Sequence, residues 1–176
     1  MGVGRRAAVI EADLSRAVDC VRLVNKAAEN IGGLDVLVNM ASVCTRRACN
    51  ELREVDWYGD LAVDLKTTFF CAQAAVVHMR ACCGGRIVNF ADWVAASGRL
   101  RDPGFLAYCV AKCGVTALSE ALEVELADDQ ALVSAVAPGS IVPPDDLDDA
   151  VLTAVEEATL LGRWVEMRWW LKWCGR

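Results

Sequence analysis

The sequence predicts an α/β fold, a parallel sheet of about four strands with helices on both faces. Three observations carry that reading. Short apolar runs at 7–12, 34–39, 87–91 and 132–137 alternate with longer segments at 14–28, 60–80 and 106–127 whose apolar residues recur at helical spacing. The central runs are apolar at nearly every position, the pattern of strands covered on both sides, instead of at every second one. Between successive runs lies enough chain for a helical crossover, which a parallel pair requires.

The elements follow in order. Residues 7–12 read as a short strand ending at Asp13, and Asp13, Leu14 and Ser15 open a helix carrying Leu14, Ala17, Val21, Val24 and Ala28 on one face. Gly32 and Gly33 stop it, and Leu34 to Asn39 form the next buried strand. After a polar loop at 43–50, Asn50 is placed to cap a helix from about Glu51, and a second long helix runs from Trp57 or Asp60 to Arg80. Its residues Leu61, Ala62, Leu65, Phe69, Ala72 and Val76 repeat at the spacing that packs one face on a sheet. Gly84 and Gly85 precede the strand Ile87, Val88, Asn89, Phe90 and Ala91, with Asp92 at its end. A helix rich in Ala and Leu then extends to about Ala127, and Leu132 to Ala137 form the last clear strand. Pro138 and Gly139 end that strand, and the prolines and acids at 143–146 lead into a helix near 147–160.

Composition excludes several classes of function. A chain of 176 residues with net charge −6 and scattered basic residues has no stripe for nucleic acid. Nine cysteines, an odd number in a long apolar chain, read as reduced and mostly buried thiols, not as a disulfide framework. Cys82 and Cys83 are adjacent and the single His78 stands apart from any acidic cluster, so metal-ligand spacing is lacking. No apolar run reaches the roughly 18 residues that span a bilayer, and the opening Met-Gly-Val-Gly-Arg-Arg has no apolar core, so a cytoplasmic location is expected.

The chemistry converges on residues 86–114. In open α/β sheets ligands bind beyond the carboxyl ends of the strands, and Asp92 sits at such an end. Tyr108 and Lys112 are four residues apart, one helical turn, and share a face. A nearby ammonium favours the phenolate and lowers a phenol's pKa, which equips Tyr108 as general acid or base. The plain alternatives are a surface Tyr, a solvated Lys and an Asp that caps the loop at Trp93.

Together these residues resemble the short-chain dehydrogenase/reductases over about residues 7–164. Residues 87–92 match the strand that leads into the family's active site, Tyr108 and Lys112 match its Tyr-x-x-x-Lys pair, and Ala137, Pro138 and Gly139 match the later Pro-Gly. Asp92 stands where most members have Ser. With Trp93 after it, this looks like the pteridine-reductase-like branch. The resemblance implies a Rossmann-like, doubly wound sheet and hydride transfer between NAD(P) and a carbonyl, alcohol or pterin-like imine, with NADP(H) favoured. It implies catalytic roles for Tyr108, Lys112 and Asp92, and for Asp64 in the run Val63-Asp64-Leu65, where relatives carry an Asn that orients the Lys. It implies cofactor contacts from Asp13, Leu14, Asn39, Ala41, Tyr108, Lys112, Pro138, Gly139 and Ile141. It also implies a homo-oligomer built on helices 60–80 and 106–127, with no nucleic-acid or membrane partner.

Two features depart from the family. No strand is followed by a Gly-rich turn and a helix, the device that brings backbone amides to a pyrophosphate, so the fold is expected to be truncated, opening at the family's third strand, and cofactor binding to be weak or lost. Residues 165–176 form an atypical Trp-rich tail after a domain of 1–164; four of the six Trp lie in 164–176, a composition that suits a membrane surface or a cover over exposed core. Against the enzyme stands a second reading, a non-catalytic remnant that keeps the family's dimerisation helices.

Overall fold

The computed structural model describes residues 7–93, 103–141, 148–159 and 161–164. By its internal contacts the chain divides into two units, residues 1–137 and 138–176. The first contains helix α1 (Ala17–Ile31), strand β1 (Val36–Asn39), helix α2 (Glu54–Asp60), a π-helical turn (Leu61–Lys66), helix α3 (Thr67–Ala81), strand β2 (Gly85–Phe90), helix α4 (Leu106–Glu125) and strand β3 (Ala131–Val136). The second contains helix α5 (Asp149–Ala158), whose first turn is capped by Asp148 accepting from the Ala150 N–H at 2.9 Å.

The strands form one parallel sheet in the order β1-β2-β3. Leu37 faces Ile87 and Asn39 faces Asn89 across the first pair, and Ile87 faces Val133 across the second. Leu37, Ile87, Ala131 and Val133 join one core with Cys20, Val24 and Ala28 of α1, Ala72, Ala75, Val76 and Met79 of α3 and Leu122 of α4. Their sheet neighbours point the other way: Val36 and Val38 are 52% exposed and Leu132 63%. Within the first unit, therefore, α1, α3 and α4 share one core with the sheet.

Residues 7–12, expected to be the first strand, have no regular structure, and Val9 is fully exposed. A strand exists only where its backbone groups meet a partner strand, and among the described residues no strand pairs with this segment. The sheet accordingly has three strands, where about four were expected. Asn50 does not cap a helix. The helix begins at Glu54, and Asp56 accepts the Arg53 N–H at 3.2 Å and the Arg53 guanidinium at 2.8 Å. From there α2, the π turn and α3 run without a break in helical dihedrals to Ala81. Tail residues 165–176 and the capping segment at 143–146 lie outside the described residues.

Candidate active site

Backbone topology brings the carboxyl ends of β1 and β2 and the first turns of α4 together. The anchor is a chain of buried amides. Asn89, fully buried in β2, accepts from Asn39 Nδ2 at 2.9 Å and donates through Nδ2 to Ser119 Oγ at 2.9 Å. Ser119 Oγ donates in turn to the Val115 carbonyl at 2.7 Å, and Asn39 Nδ2 also reaches the Thr68 carbonyl at 3.4 Å. A buried polar group without partners is costly, so this network favours a single arrangement of β1, β2, α3 and α4.

That register sets Lys112 one turn from Tyr108 over the end of β2. Lys112 is 4% exposed; its Nζ donates to the Phe90 carbonyl at 2.9 Å and pairs with Asp64 Oδ1 at 3.0 Å. Asp64, 1% exposed on the π turn, is held from the loop after β1 as well: Ser42 Oγ donates to its Oδ1 and the Val43 N–H to its Oδ2 at 3.1 Å. Close packing of α4 on the π turn allows this reach, since a Cβ on Gly114 would come within 2.8 Å of Leu65 Cδ2. Tyr108 Oη donates to Asp92 Oδ2 at 2.9 Å.

The electrostatics run opposite to the sequence expectation for Tyr108. Burial pushes the phenol's pKa well above its ordinary value, and the charge and hydrogen bond of Asp92 push it further, with smaller contributions from Cys44 and Asp64. Lys112 was expected to lower it. Instead its ammonium lies 5.7 Å from the centre of the Tyr108 ring and is engaged by Asp64. Asp60, one turn before Asp64 and also buried, is raised by its own burial and by the Asp64 charge.

The sequence-named cofactor residues fall in three places. Leu14, Asn39 and Ala41 line an apolar cavity of about 160 Å³ with Leu37, Thr68 and Cys71. Asp13 stands in the exposed turn before α1, where its Oδ1 accepts the Ser15 N–H at 3.0 Å and Oγ at 2.7 Å, hydrogen bonds that hold its pKa down. Pro138, Gly139 and Ile141 belong to the second unit.

Two of the three ammonium donors of Lys112 go to Phe90 and Asp64 among the described residues, which leaves one suited to a ribose hydroxyl. That end of a dinucleotide fits. The pyrophosphate end does not: no described turn leading into a helix carries the glycines it needs, and the cavity is smaller than the roughly 300 Å³ at which ligand pockets begin. A wider groove of about 730 Å³ between α1 and α3, lined by Val18, Arg22, Lys26, Glu29 and Gln73, includes none of the chemistry-bearing residues. Among the described residues no cluster of His, Cys, Asp and Glu is arranged to hold a metal, and no helix is long and apolar enough to cross a membrane. His78 is hydrogen-bonded to Asn25 at 2.8 Å.

Reading residue types missed Asn89, Ser119 and Ser42 as site-builders. Asn89 carried the available signal, being the one amide in the apolar run 87–91. Ser42 carried none, because its partner is 22 residues away.

The carboxyl end of the parallel sheet thus gathers a Tyr–Asp hydrogen bond and a buried Lys. The family model for short chain dehydrogenases matches residues 2–147, and the chain belongs to that family. It is 38% identical over 134 residues to a probable galactose dehydrogenase, GalD, of Rhizobium meliloti, covering 76% of this chain and 51% of that protein. It is 33% identical over 138 residues to 2-dehydro-3-deoxy-D-gluconate 5-dehydrogenase of Escherichia coli, covering 78% of this chain and 53% of that protein. The crystal structure of a candidate short-chain alcohol dehydrogenase from Sinorhizobium meliloti superposes with a TM-score of 0.87 at 30% identity, covering 94% of this chain and 66% of that one. The chain thus spans about half the length of the curated relatives it matches.

Proposed function

We propose that this chain carries the catalytic half of an NAD(P)-dependent oxidoreductase that moves a hydride to or from a carbonyl, an alcohol or a pterin-like imine, with NADP(H) the favoured cofactor. The observation that supports it most is the 2.9 Å hydrogen bond from Tyr108 Oη to Asp92 Oδ2 beside a buried Lys at the strand end. The nicotinamide, when bound, supplies or accepts the hydride. Tyr108 Oη gives a proton to the substrate atom that becomes a hydroxyl or amine, or takes it back in the other direction. Asp92, which now accepts the phenol's O–H, orients the substrate and receives hydrogen bonds from N–H or O–H groups on it; that acceptor chemistry supports the pteridine-reductase-like branch over one using Ser. Lys112 holds a ribose hydroxyl with its remaining donor, and Asp64 fixes Lys112.

The same reading includes a homo-oligomer through helices 60–80 and 106–127. Exposed apolar side chains on these helices support it: Phe69 and Val77 on α3, and Leu106, Val110 and Val124 on α4. Reduced thiols at every described cysteine are consistent with the cytoplasm as its compartment.

The test is reduction of a panel of ketones, aldehydes and pterins at millimolar NADPH, with melting temperature followed in parallel. Weak cofactor binding is expected, and a rise of several degrees overturns that part, since a ligand at about 100 times its dissociation constant stabilises by roughly 2.7 kcal/mol. Turnover that Tyr108→Phe abolishes supports the enzyme. Absence of turnover with every substrate leaves the non-catalytic, oligomer-forming remnant.

A further inference from the structure

Asp64 has a use beyond the contacts that hold it. We propose that it is a positioning residue acting through Lys112: by pairing with the ammonium it withholds that charge from the Tyr108 phenol and reserves Tyr108 for proton donation. The inference rests on the acid–base role proposed for Tyr108, and its test needs neither cofactor nor substrate.

The geometry carries it. Asp64 and Lys112 are both buried and 3.0 Å apart, whereas the ammonium is 5.7 Å from the centre of the phenol ring. A cation acts on a neighbour through its net field, and a carboxylate at contact distance turns the charge into a short dipole. The carboxylate is not free to swing away: Ser42, Val43 and Lys112 hold both oxygens from two other elements. The backbone arrangement is also specific, because Asp64 lies in a π-helical turn, a rare widening found frequently at functional sites. Lys112 Nζ is further tied to the Phe90 carbonyl at 2.9 Å, a second fixed partner.

Among the described residues, the groups that raise the phenol come from three elements besides its own helix. Asp92 at the end of β2, Cys44 in the loop after β1 and Asp64 on the π turn raise the phenol's pKa; Cys44 in turn faces Asp60, Asp64, Asp92 and Cys109. Lys112, on Tyr108's own helix, is the cation of the set, and Asp64 is its counter-charge.

The experiment follows tyrosinate absorbance and the 13C resonance of the Tyr Cζ against pH in the unliganded chain. The chain has two Tyr, and exposed Tyr58 is an internal reference; Tyr108→Phe identifies the Tyr108 signal. In the unaltered chain the Tyr108 resonance stays at the phenol position beyond pH ~10, the ordinary phenol value, and conversion below that pH overturns the proposal without any variant being made. In Asp64→Asn, which keeps shape and removes the counter-charge, the Tyr108 midpoint falls by roughly one to three units while Tyr58 does not move. A folded Asp64→Asn chain whose Tyr108 titrates as in the parent overturns it. The double variant Asp64→Asn, Lys112→Met returns the midpoint upward; a midpoint that stays low shows the shift does not run through Lys112 and also overturns it. If the titrations follow this pattern and no substrate turns over, the function reading fails and the positioning role stands. If substrate turns over and the titrations do not shift, the reverse holds.

Discussion

Tyr108 Oη and Asp92 Oδ2, separated by 16 positions in the chain, meet at 2.9 Å. The segment between them includes residues 94–102, which lie outside the described residues; Asp92 follows the end of β2 and Tyr108 stands in the first turn of α4. A separation beyond roughly 10 Å would have removed any shared hydrogen-bond reach.

Replacing Tyr108 by Phe deletes the transferable proton and keeps the ring. Stability should fall by about 1 kcal/mol, the net contribution of one hydrogen bond, while any turnover should drop a hundredfold or more. Steady-state kinetics decide it: a loss below about tenfold removes Tyr108 from the acid–base role.

The raised phenol has a consequence for folding at alkaline pH. Its pKa is higher in the folded chain than in the unfolded one, so the stability it contributes is complete below the ordinary phenol value near pH 10 and is lost as pH rises through the folded value. In that window the unfolded state has released a proton that the native state keeps. Unfolding free energy should therefore decline by about 1.4 kcal/mol per pH unit more in the parent than in Tyr108→Phe. Urea titrations of both chains above pH 10 measure the difference, and parallel curves contradict it.

Lys112→Met leaves Asp64 buried with its counter-charge gone. Breaking a buried pair in this way costs about 3–5 kcal/mol, and we expect a loss of that size by denaturant unfolding. Converting Asp64 to Asn in the same chain should recover part of it, because an amide at that position no longer carries an unpaired charge. If the double variant is as unstable as the single one, the cost does not come from the uncompensated carboxylate.

Gly84→Ala tests the entry to the central strand. Gly84 has φ +120°, and a Cβ there would stand 2.7 Å from the Gln130 carbonyl oxygen, a backbone atom tied to the start of β3. Strain of this kind costs about 1–3 kcal/mol, so the midpoint of urea unfolding should shift down with little change in slope. An Ala variant as stable as the parent would mean the turn relaxes freely.

Local pattern alone carried the α/β class, the positions of α1, β1, β2, α4 and β3, and the pairing of Tyr108 with Lys112 on one helical face. Each follows from periodicity over a few residues: continuous apolar runs for buried strands, helical spacing for helices, four residues for one turn. The carboxylate at the end of β2 was readable for the same reason. What local periodicity did not carry was the geometry of relationships whose partners are remote in the chain. Residues 7–12 have strand-like composition, but a strand is made by a pairing neighbour, and among the described residues no strand pairs with it. Asn50 has the right chemistry for a cap, yet the turn at 49–51 carries the chain on to a start at Glu54. The partner of Lys112 was decided by packing: α4 against the π turn brings together side chains 48 positions apart, and burial makes the closest opposite charge prevail over the intended phenol. Sequence determined which groups share a helix turn or a strand end; tertiary structure decided which charge each one meets, because electrostatic energy depends on distances of a few ångströms that local periodicity does not encode.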